Sequence, residues 1–505
     1  MILPRLWGSR ESGSDKSKWE PSRNAMPDSP PSLDPKDSTQ SNGSEKCSAS
    51  SMALEAAVLN TTSQEIPELY DWQVPHADQL FAALSEHGVA MDGSDTGTGK
   101  TVVALEVARR AGRVPFVVCP KAVIPSWKEW MKKFRPGDPC HFAFTYDKLR
   151  RGGTEFLARK KKRLAWRLRG DKMLLIFDEV HRCKGDKSLN SVMLAQAKDA
   201  GIPVLMLSAT ACSNPVEMKA IGYQLGFHDY RRWWNWCLKT GCRRGRFGGL
   251  DFNNSNRILK KMHAHIYPER GSRIRIRELP QGIFPDNLVI PSGYRIDDPA
   301  EVNAIYEDMK EELEILRERR DEDEGEFALT FQLRARQEVE LLKVPVFVEL
   351  AKDAMAEGNS VVIFVNFTAT MDALIDRMSA ILPNGSERWA EIRGGQSEDE
   401  RQENVDLFQN NEAKVCLAMV QAGGVGLSLH DEHGKSPRVS LISPSFSAID
   451  FKQTLGRIHR AGGKSPAIQK IIFADGTVEM RVCSAVRGKL KNLDLINDDE
   501  LNPIL

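Results

Sequence analysis

Short, continuously apolar runs alternate with helix-patterned segments along two stretches of this 505-residue chain. The runs are rich in β-branched and aromatic residues and are bounded by polar and turn-forming residues, which is typical of strands. Because the runs lack a polar face, they predict strands that are buried on both sides, as in a parallel sheet covered by helices. The pattern therefore predicts two α/β units, the first over about 65–280 and the second over about 344–495.

The predicted strands of the first unit are PFVVCP (115–120), HFAFTY (141–146), KMLLIFDE (172–179) and IPVLMLSAT (202–210). Those of the second unit are SVVIFVNF (360–367), AKVCLAMV (413–420), RVSLIS (438–443) and QKIIFA (469–474). Between the units lies a charged, helix-periodic segment, PAEVNAIYEDMKEELEILRERRDEDEGEF. It predicts a solvated helical connector, with a partner-binding helix as the alternative. The Ser- and Pro-rich residues before the first unit have too few aliphatic side chains for a core and predict a disordered tail.

The charges of the chain nearly cancel, with 70 Lys and Arg against 69 Asp and Glu for a net charge of +1. A whole-chain field that attracts nucleic acid is excluded, so a polyanion would have to be bound by a local basic patch. No apolar run reaches the ~18–20 residues that span a bilayer, and the N-terminal sequence lacks the apolar core of a signal peptide. We therefore expect an intracellular protein with no membrane partner. The nine cysteines form no paired CxxC framework, which argues against a disulfide scaffold and a structural zinc.

A glycine-rich segment, GSDTGTGKT (93–101), stands directly before the helix-patterned VVALEVARRAG. Backbone N–H groups and the helix dipole favour an anion at such a turn, and Lys100 can reach the β- and γ-phosphates of a nucleotide. The hydroxyl of Thr101 suits Mg²⁺. Ser94 stands where the strict GxxxxGK[ST] motif has glycine. The segment predicts a phosphate-binding loop, with ATP and Mg²⁺ as cofactors.

In the segment LLIFDEVH (174–181), a short apolar run is followed directly by two acids, Asp178 and Glu179. An open parallel sheet keeps its site at the carboxyl ends of its strands, so we expect these acids to face the phosphate-binding loop. Asp178 can bind Mg²⁺, and Glu179 can orient the attacking water. The alternative, in which the two acids only cap the next helix, is disfavoured by the presence of Lys100 and Thr101.

With these two motifs the chain resembles the superfamily 2 helicases, and the remaining motifs of that family follow in the expected order. LYDWQ (69–73) resembles the adenine-reading segment, SAT (208–210) the motif that couples hydrolysis to domain movement, and IFVNF (363–367) the opening strand of a second motor domain. QAGGVGL (421–427) and QTLGRIHR (453–460) resemble the fifth and sixth motifs. Arg457 and Arg460 are neighbours on one helical face and are expected to reach the γ-phosphate across a cleft.

The resemblance implies a role for each matching residue. The nucleotide-binding residues would be Gln73, Gly97, Thr98, Gly99, Lys100, Thr101 and Gly426. The catalytic residues would be Lys100, Asp178, Glu179, Arg457 and Arg460, with Thr101 and Asp178 as the Mg²⁺ ligands. The residues that couple hydrolysis to movement would be His181, Ser208, Thr210 and Gln453.

The fold implied by the resemblance is two tandem RecA-like P-loop domains with parallel sheets. The predicted boundaries are a tail (1–53), a first domain (54–285), a helical connector (286–343), a second domain (344–495) and a short tail (496–505). The implied function is an ATP-dependent helicase or translocase with nucleic acid as its partner. The alternatives are a catalytically silent nucleic-acid-binding scaffold, an RNA rather than a DNA motor, and a P-loop ATPase that moves proteins or solutes.

Several details resemble the SWI/SNF-type and annealing-helicase branch of the superfamily, which favours DNA over RNA. The matching segments are DEVHRCK (178–184) with Ser188, Asn214-Pro215, Arg393-Gly-Gly395 with Arg401 and Phe408, and GTVE (476–479). The branch usually has Trp-Asn-Pro before its last motif, and this chain has SPS (443–445) there. The interval from Thr210 to Ile363 also leaves little room for the insertions of nucleosome remodellers, so remodelling itself is not expected.

Basic and aromatic residues interleave in RRWWNW (231–236) and the residues that follow it. This mixture suits stacking on bases and neutralisation of phosphates. It predicts nucleic-acid contact by Arg243, Arg244 and Arg246, and the first nucleic-acid motif of the family, CPK (119–121), adds Lys121. The alternative is an aromatic helix that only packs on the first domain.

Overall fold

In the computed structural model, the described residues are 66–136, 138, 141–152, 154–160, 163–245, 249–253, 255–319, 324–381, 388–423, 427–445 and 447–479. Both predicted tails lie outside these residues. The described chain forms two α/β lobes, each built on a parallel sheet. Among the described residues, no helix is long and apolar enough to cross a membrane.

The first lobe contains a parallel sheet with six described strands, β1 (Val89–Asp92), β2 (Val114–Cys119), β3 (Ala143–Thr145), β6 (Met173–Asp178), β7 (Val204–Leu207) and β10 (Gly271–Ser272). Their order across the sheet is β10-β1-β7-β6-β2-β3. Its helices are α1 (Val74–His87), α2 (Lys100–Arg110), α3 (Ile124–Phe134), α4 (Tyr146–Arg151), α5 (Leu189–Asp199), α6 (Lys219–Gln224), α7 (Trp233–Lys239) and α8 (Asn256–Ile266). Two antiparallel hairpins complete the lobe, β4 (Leu157–Lys160) with β5 (Arg163–Trp166) and β8 (Cys242–Arg244) with β9 (Leu250–Phe252).

The central strand β6 shows why a continuous apolar run is needed. Leu174 and Ile176 pack on one side of the sheet in the core that also contains residues of α1, α2 and α3. Leu175 and Phe177 pack on the other side with residues of α5, α6 and α8. Each side of the strand is therefore removed from water, which is the burial that the sequence predicted.

The second lobe also contains a parallel sheet with six described strands, β11 (Asn287–Tyr294), β12 (Ser360–Val365), β13 (Arg388–Ile392), β14 (Ala413–Met419), β15 (Arg438–Ile442) and β16 (Ala467–Ala474). Their order across the sheet is β11-β16-β15-β12-β14-β13. Its helices are α9 (Pro299–Arg319), α10 (Glu324–Leu342), α11 (Val344–Ala356), α12 (Thr368–Ile381), α13 (Glu398–Gln409), α14 (Val420–Gly423) and α15 (Ala448–Leu455).

The short edge strand β3 was predicted from the sequence, but several other strands that lie at sheet edges or are very short were not. β11 falls within the range predicted as a helical connector, and it forms the edge of the second sheet beside β16. It contains a proline and is largely exposed, so it lacks the continuous apolar pattern of a central strand. β1 and β10 have only four and two residues, too few for a periodic signal.

A buried ion pair joins the end of the second sheet to the junction between α10 and α11. The ammonium of Lys343 lies 2.7 Å from Oε1 of Glu479, and their side chains are 2% and 6% exposed. The other carboxylate oxygen of Glu479 accepts the N–H of Ala474 at 2.8 Å, at the last residue of β16. Because both charges are paired and hydrogen-bonded, their removal from water is compensated. This contact explains the GTVE segment as a structural element of the lobe.

Candidate active site

The phosphate-binding loop connects β1 to α2. Gly97 and Gly99 have φ angles of +84° and +82°, which side-chain-bearing residues rarely adopt. Among the described residues, no acceptor is found for any backbone N–H from Thr96 to Thr101. A run of unpaired donors at a helix N-terminus is the arrangement that binds phosphate oxygens. The loop therefore fits a nucleotide polyphosphate.

The side chain of Lys100 is folded into this loop. Its ammonium donates to the carbonyls of Ser94 and Asp95, each at 2.9 Å. The hydroxyl of Thr98 also donates to the carbonyl of Asp95, at 2.8 Å. The carbonyls of Ser94 and Asp95 thus hold the ammonium of Lys100 beside the unpaired N–H groups of the loop. Thr101 lies on the first turn of α2, beside Lys100.

Gln73 is buried, at 2% exposure, against the same loop. Its Nε2 donates to the carbonyl of Thr98 at 3.0 Å, and its Oε1 accepts the N–H of Tyr70 at 3.1 Å. The amide contacts the position that a β-carbon on Gly99 would occupy, so a side chain at Gly99 would displace it. Tyr70 is 66% exposed and stacks in parallel on Trp72 with ring centroids 5.5 Å apart. Gln73 therefore connects the segment predicted to read adenine to the phosphate-binding loop.

The two acids of the site lie at the carboxyl end of β6, of which Asp178 is the last residue. Asp178 accepts a hydrogen bond at Oδ2 from the indole of Trp127 at 2.8 Å, and Tyr146 donates to its carbonyl at 2.8 Å. Desolvation and the neighbouring charge of Glu179 raise the pKa of Asp178 to about 6. Glu179 has φ of 53° and ψ of 53°, a left-handed conformation that is costly for a residue with a side chain. Such strain is characteristic of functional turns.

Glu179 receives hydrogen bonds from both lobes. Nδ1 of His181 lies 3.2 Å from its Oε2, and Nε2 of Gln453 donates to the same oxygen at 3.0 Å. Desolvation opposes ionisation, but the bond from His181 and the charges of His181, Lys100 and Arg457 lower the pKa of Glu179 to about 2. The carboxylate is therefore charged and held as an acceptor.

A chain of polar contacts leads from Glu179 to the SAT motif. Nδ1 of His181 also lies 3.3 Å from the hydroxyl of Ser208, and that hydroxyl accepts the N–H of Thr210 at 3.1 Å. Ser208 and Thr210 are fully buried. Together with the bond from Gln453, these contacts place all four predicted coupling residues in one network around Glu179.

The two arginines of the second lobe lie near the cleft, where Arg460 is close to the phosphate-binding loop. Arg457 and Arg460 donate to the carbonyl of Leu427 at 3.1 and 2.8 Å. A β-carbon on Gly97 would lie 3.3 Å from Cγ of Arg460. Desolvation lowers the pKa of Arg457 to about 9 and that of Arg460 to about 10, so both guanidinium groups remain charged near neutral pH. The two positive charges therefore lie on the opposite side of the cleft from Glu179.

Most of the predicted site residues are thus brought together in one cleft, and a few lie elsewhere. Lys121 is exposed, and its ammonium lies 3.7 Å from Oε1 of Glu398 on the second lobe. Arg243 and Arg244 are exposed on β8. Arg246 and Gly426 lie outside the described residues.

Trp127 has a role that the sequence did not reveal. The sequence places it in the segment after CPK, which resembles the first nucleic-acid-contacting motif. In the structure its indole is 1% exposed and donates to Asp178. The signal that could have indicated burial is its spacing with Met131 and Phe134, which forms the apolar face of α3.

The chain matches two protein families over the two lobes. Residues 67–212 match the family described as type III restriction enzyme, res subunit, and residues 343–462 match the helicase conserved C-terminal domain. A protein of Acanthamoeba polyphaga mimivirus, provisionally named ATP-dependent RNA helicase L364, is 33% identical over 466 residues, which is 86% of this chain and 84% of that protein.

Two further proteins match more weakly. DNA repair protein RAD5 of Cryptococcus neoformans is 30% identical over 139 residues, which is 27% of this chain and only 11% of that protein. The solved SWI2/SNF2 ATPase core of Sulfolobus solfataricus in complex with double-stranded DNA covers 86% of this chain and 98% of its own, with 17% identity. Its TM-score is 0.34, which is too low to support an inference.

Proposed function

The chain belongs to the superfamily 2 helicases and translocases, which are nucleic-acid-dependent ATPases, and we propose that its nucleic-acid substrate is DNA. The observation that supports the motor function best is the hydrogen bond from Gln453 to Glu179. It joins the two lobes at the acid expected to orient the attacking water. Hydrolysis and the relative position of the lobes are therefore linked at one carboxylate.

In the proposed mechanism, the N–H groups of Thr96 to Thr101 and the ammonium of Lys100 bind the phosphates of ATP. Glu179 accepts a hydrogen bond from the attacking water and orients it. Arg457 and Arg460 neutralise the charge that develops on the transferred phosphoryl group. Thr101 and Asp178 would hold Mg²⁺, which when bound neutralises phosphate charge.

Movement follows from differential binding in two states of the cleft. With the lobes together, Gln453 and the two arginines complete the site around Glu179. A separation of the lobes would remove these contacts and leave the site without the charge stabilisation that the two arginines provide for hydrolysis. Nucleic acid that binds both lobes and stabilises the closed cleft would therefore stimulate ATP hydrolysis.

DNA is favoured by the segment that follows the two acids. Lys184, the last residue of DEVHRCK, lies 3.2 Å from the carboxylate of Glu217, just after the SAT motif. Asn214 caps the same turn by accepting the N–H groups of Val216 and Glu217. These residues belong to the segments that resemble the SWI/SNF-type branch. RAD5, which shares 30% identity over part of the chain, is named as a DNA repair protein.

RNA is the second candidate substrate, because the mimivirus relative is provisionally named as an RNA helicase and matches 86% of this chain. The two candidates share the same ATP site, so the cleft does not distinguish them. They differ in which polynucleotide stimulates ATP hydrolysis.

The test is the rate of ATP hydrolysis by the wild type and by Lys100→Ala with single-stranded and double-stranded DNA and RNA. We expect double-stranded DNA to give the largest stimulation of the wild type and none of the four to stimulate Lys100→Ala. If only RNA stimulates ATP hydrolysis by the wild type, the nucleic-acid substrate is RNA. If none of the four polynucleotides stimulates the wild type, the motor function is wrong and a silent scaffold is favoured.

The exposed arginines of the β8–β9 hairpin are proposed to contact phosphates of the nucleic acid. Each phosphate contact contributes about 0.9 to the slope of log K against log salt concentration on duplex DNA. Replacing Arg243 and Arg244 with Ala should therefore make the slope shallower by about 1.8 if both bind phosphate. The measurement is DNA binding over a range of salt concentrations. Arg151 and Arg167, exposed arginines outside the hairpin, provide the matched control, and an unchanged slope for the hairpin variant would exclude direct phosphate contact.

A further inference from the structure

Residues 271–286 connect the two lobes, and we call them the strap. The strap begins as β10 at the edge of the first sheet and ends before β11 at the edge of the second. Its first part lies beside residues 93–95 of the phosphate-binding loop, and its last part lies beside the arginine-bearing segment of the second lobe. The strap therefore contacts both halves of the ATP site.

Hydrogen bonds continue between the strap and the phosphate-binding loop after β10 and β1 end. The N–H of Gly93 donates to the carbonyl of Ser272 at 3.1 Å, and the N–H of Asp95 donates to the carbonyl of Ile274 at 3.0 Å. The N–H of Ile274 donates to the hydroxyl of Ser94 at 3.0 Å. Ser94 thus uses its side chain to hold the strap, which accounts for a serine where the strict motif has glycine.

Arg273 makes the strongest of these contacts. One guanidinium nitrogen donates to the carbonyl of Gly93 at 2.7 Å, and the other donates to Oδ1 of Asp95 at 2.8 Å. The arginine side chain is only 5% exposed. The second oxygen of Asp95 accepts the N–H of Ile276 at 3.1 Å. Desolvation alone would raise the pKa of Asp95, but the charges of Arg273 and Lys452 lower this pKa below its usual value. The aspartate is therefore charged.

The loop therefore has two parts with different roles. Each of residues 93–95 makes hydrogen bonds to the strap, whereas the N–H groups of residues 96–101 find no acceptor among the described residues. A loop that is fixed at one end loses less conformational freedom when it binds a ligand at the other end. The paired part can thus keep the unpaired part open for phosphate.

The far end of the strap is bonded to the segment that carries Arg460. The N–H of Gly462 donates to the carbonyl of Ile283 at 3.2 Å, and Nε2 of His459 lies 2.9 Å from the carbonyl of Pro285. The ring of Phe284 lies 5.3 Å from the ring of His459. Ile276 and Ile283, the two anchored ends, are seven positions apart in the chain, which limits their separation to about 25 Å even when the chain is fully extended.

We propose that Arg273 is a positioning residue for nucleotide binding. Together with Asp95, it fixes the first part of the phosphate-binding loop. It also links that loop, through the strap, to the arginines of the second lobe. The inference rests on the ATP site of the proposed function and adds a residue outside the motifs of that site. A guanidinium is suited to the role because it donates to two acceptors in a fixed geometry.

The test is the binding of a fluorescent ADP analogue, together with KM and kcat for ATP. Arg273→Ala should raise the dissociation constant and KM by tenfold or more, while kcat changes by less than threefold. Arg273→Lys should lie between the wild type and Arg273→Ala, because an ammonium can replace the charge but not the forked geometry. Asp95→Asn should raise the dissociation constant about as much as Arg273→Lys does. Because the two residues contact each other, the double variant of Asp95→Asn and Arg273→Ala should have nearly the same dissociation constant as Arg273→Ala alone.

Arg275→Ala is the matched control, since Arg275 lies on the same strap and its guanidinium pairs with Glu278 at 2.6 Å. We expect its nucleotide affinity to stay within twofold of the wild type. Unchanged nucleotide binding in folded Arg273→Ala would overturn the inference. If that variant does not fold, unchanged binding in both Asp95→Asn and Arg273→Lys would overturn it instead. Nucleotide binding can be measured without a polynucleotide, so this test is independent of the proposed motor function. If the wild type binds nucleotide but no polynucleotide stimulates its ATP hydrolysis, the motor function is contradicted and the role of Arg273 is not.

Discussion

Replacing Arg460 with Ala is expected to lower kcat for ATP hydrolysis by about 10³- to 10⁵-fold, the range found for arginines that stabilise phosphoryl transfer. A β-carbon on Gly97 of the opposite lobe would lie 3.3 Å from Cγ of Arg460, and the guanidinium donates to the carbonyls of Gly456 and Leu427 in its own lobe. In the proposed mechanism this guanidinium neutralises the charge that develops on the transferred phosphoryl group. Because the effect is on the transition state, KM for ATP should change much less than kcat.

Arg460→Lys tests whether charge alone is sufficient. A lysine keeps the positive charge but lacks the planar fork, so we expect most of the loss to remain. The measurement is steady-state ATP hydrolysis with saturating polynucleotide. Arg377→Ala is the control, because Arg377 is exposed on α12 of the same lobe. A folded Arg460→Ala variant with kcat within tenfold of the wild type would show that this arginine does not act on the reacting phosphate.

Replacing Glu179 with Gln should lower kcat by about 10²- to 10⁴-fold, the usual range for a positioned side chain that acts on the proton of the nucleophile. The amide of glutamine has nearly the same shape and retains an oxygen acceptor for Gln453, but it lacks the negative charge. The surrounding hydrogen bonds from His181 and Gln453 should keep the turn folded. Nucleotide binding should therefore persist while turnover is lost.

The measurement combines single-turnover hydrolysis with binding of a fluorescent ADP analogue. Glu155→Gln, an exposed position in the same lobe, is the matched control and should hydrolyse ATP at the wild-type rate. Loss of nucleotide binding in Glu179→Gln would indicate that Glu179 acts on ground-state binding rather than on the water. Retention of more than a tenth of the wild-type rate would assign the role to another acid.

The parts of the fold that the sequence predicted are those encoded by local patterns. The run LLIFD predicts a strand buried on both sides because every residue in it is apolar up to the acid, and β6 confirms this. By contrast, β11 could not be recognised as part of the second sheet, because an exposed edge strand needs no apolar face. Its membership in the sheet depends on pairing with β16, about 180 residues later in the chain.

The candidate site shows the same division. The loop with Lys100 and the turn with Asp178 and Glu179 are recognisable because each uses consecutive residues to create its geometry. The roles proposed for Trp127 and Arg273 are not recognisable in this way. Trp127 meets Asp178 across 51 positions, and Arg273 meets Asp95 across 178. Nothing near either residue in the sequence specifies its partner.

The sequence by itself therefore determined the two α/β lobes and predicted the phosphate-binding loop and the acids of the candidate site, because hydrophobic burial and backbone conformation act over a few neighbouring residues. Only the tertiary structure decided which side chains meet across the cleft and which residues hold the loop in place. Gln453 reaches Glu179, and Arg273 fixes Asp95, only because the two sheets and the strap bring distant segments together. Such contacts depend on the packing of whole lobes, so no local pattern in the chain encodes them.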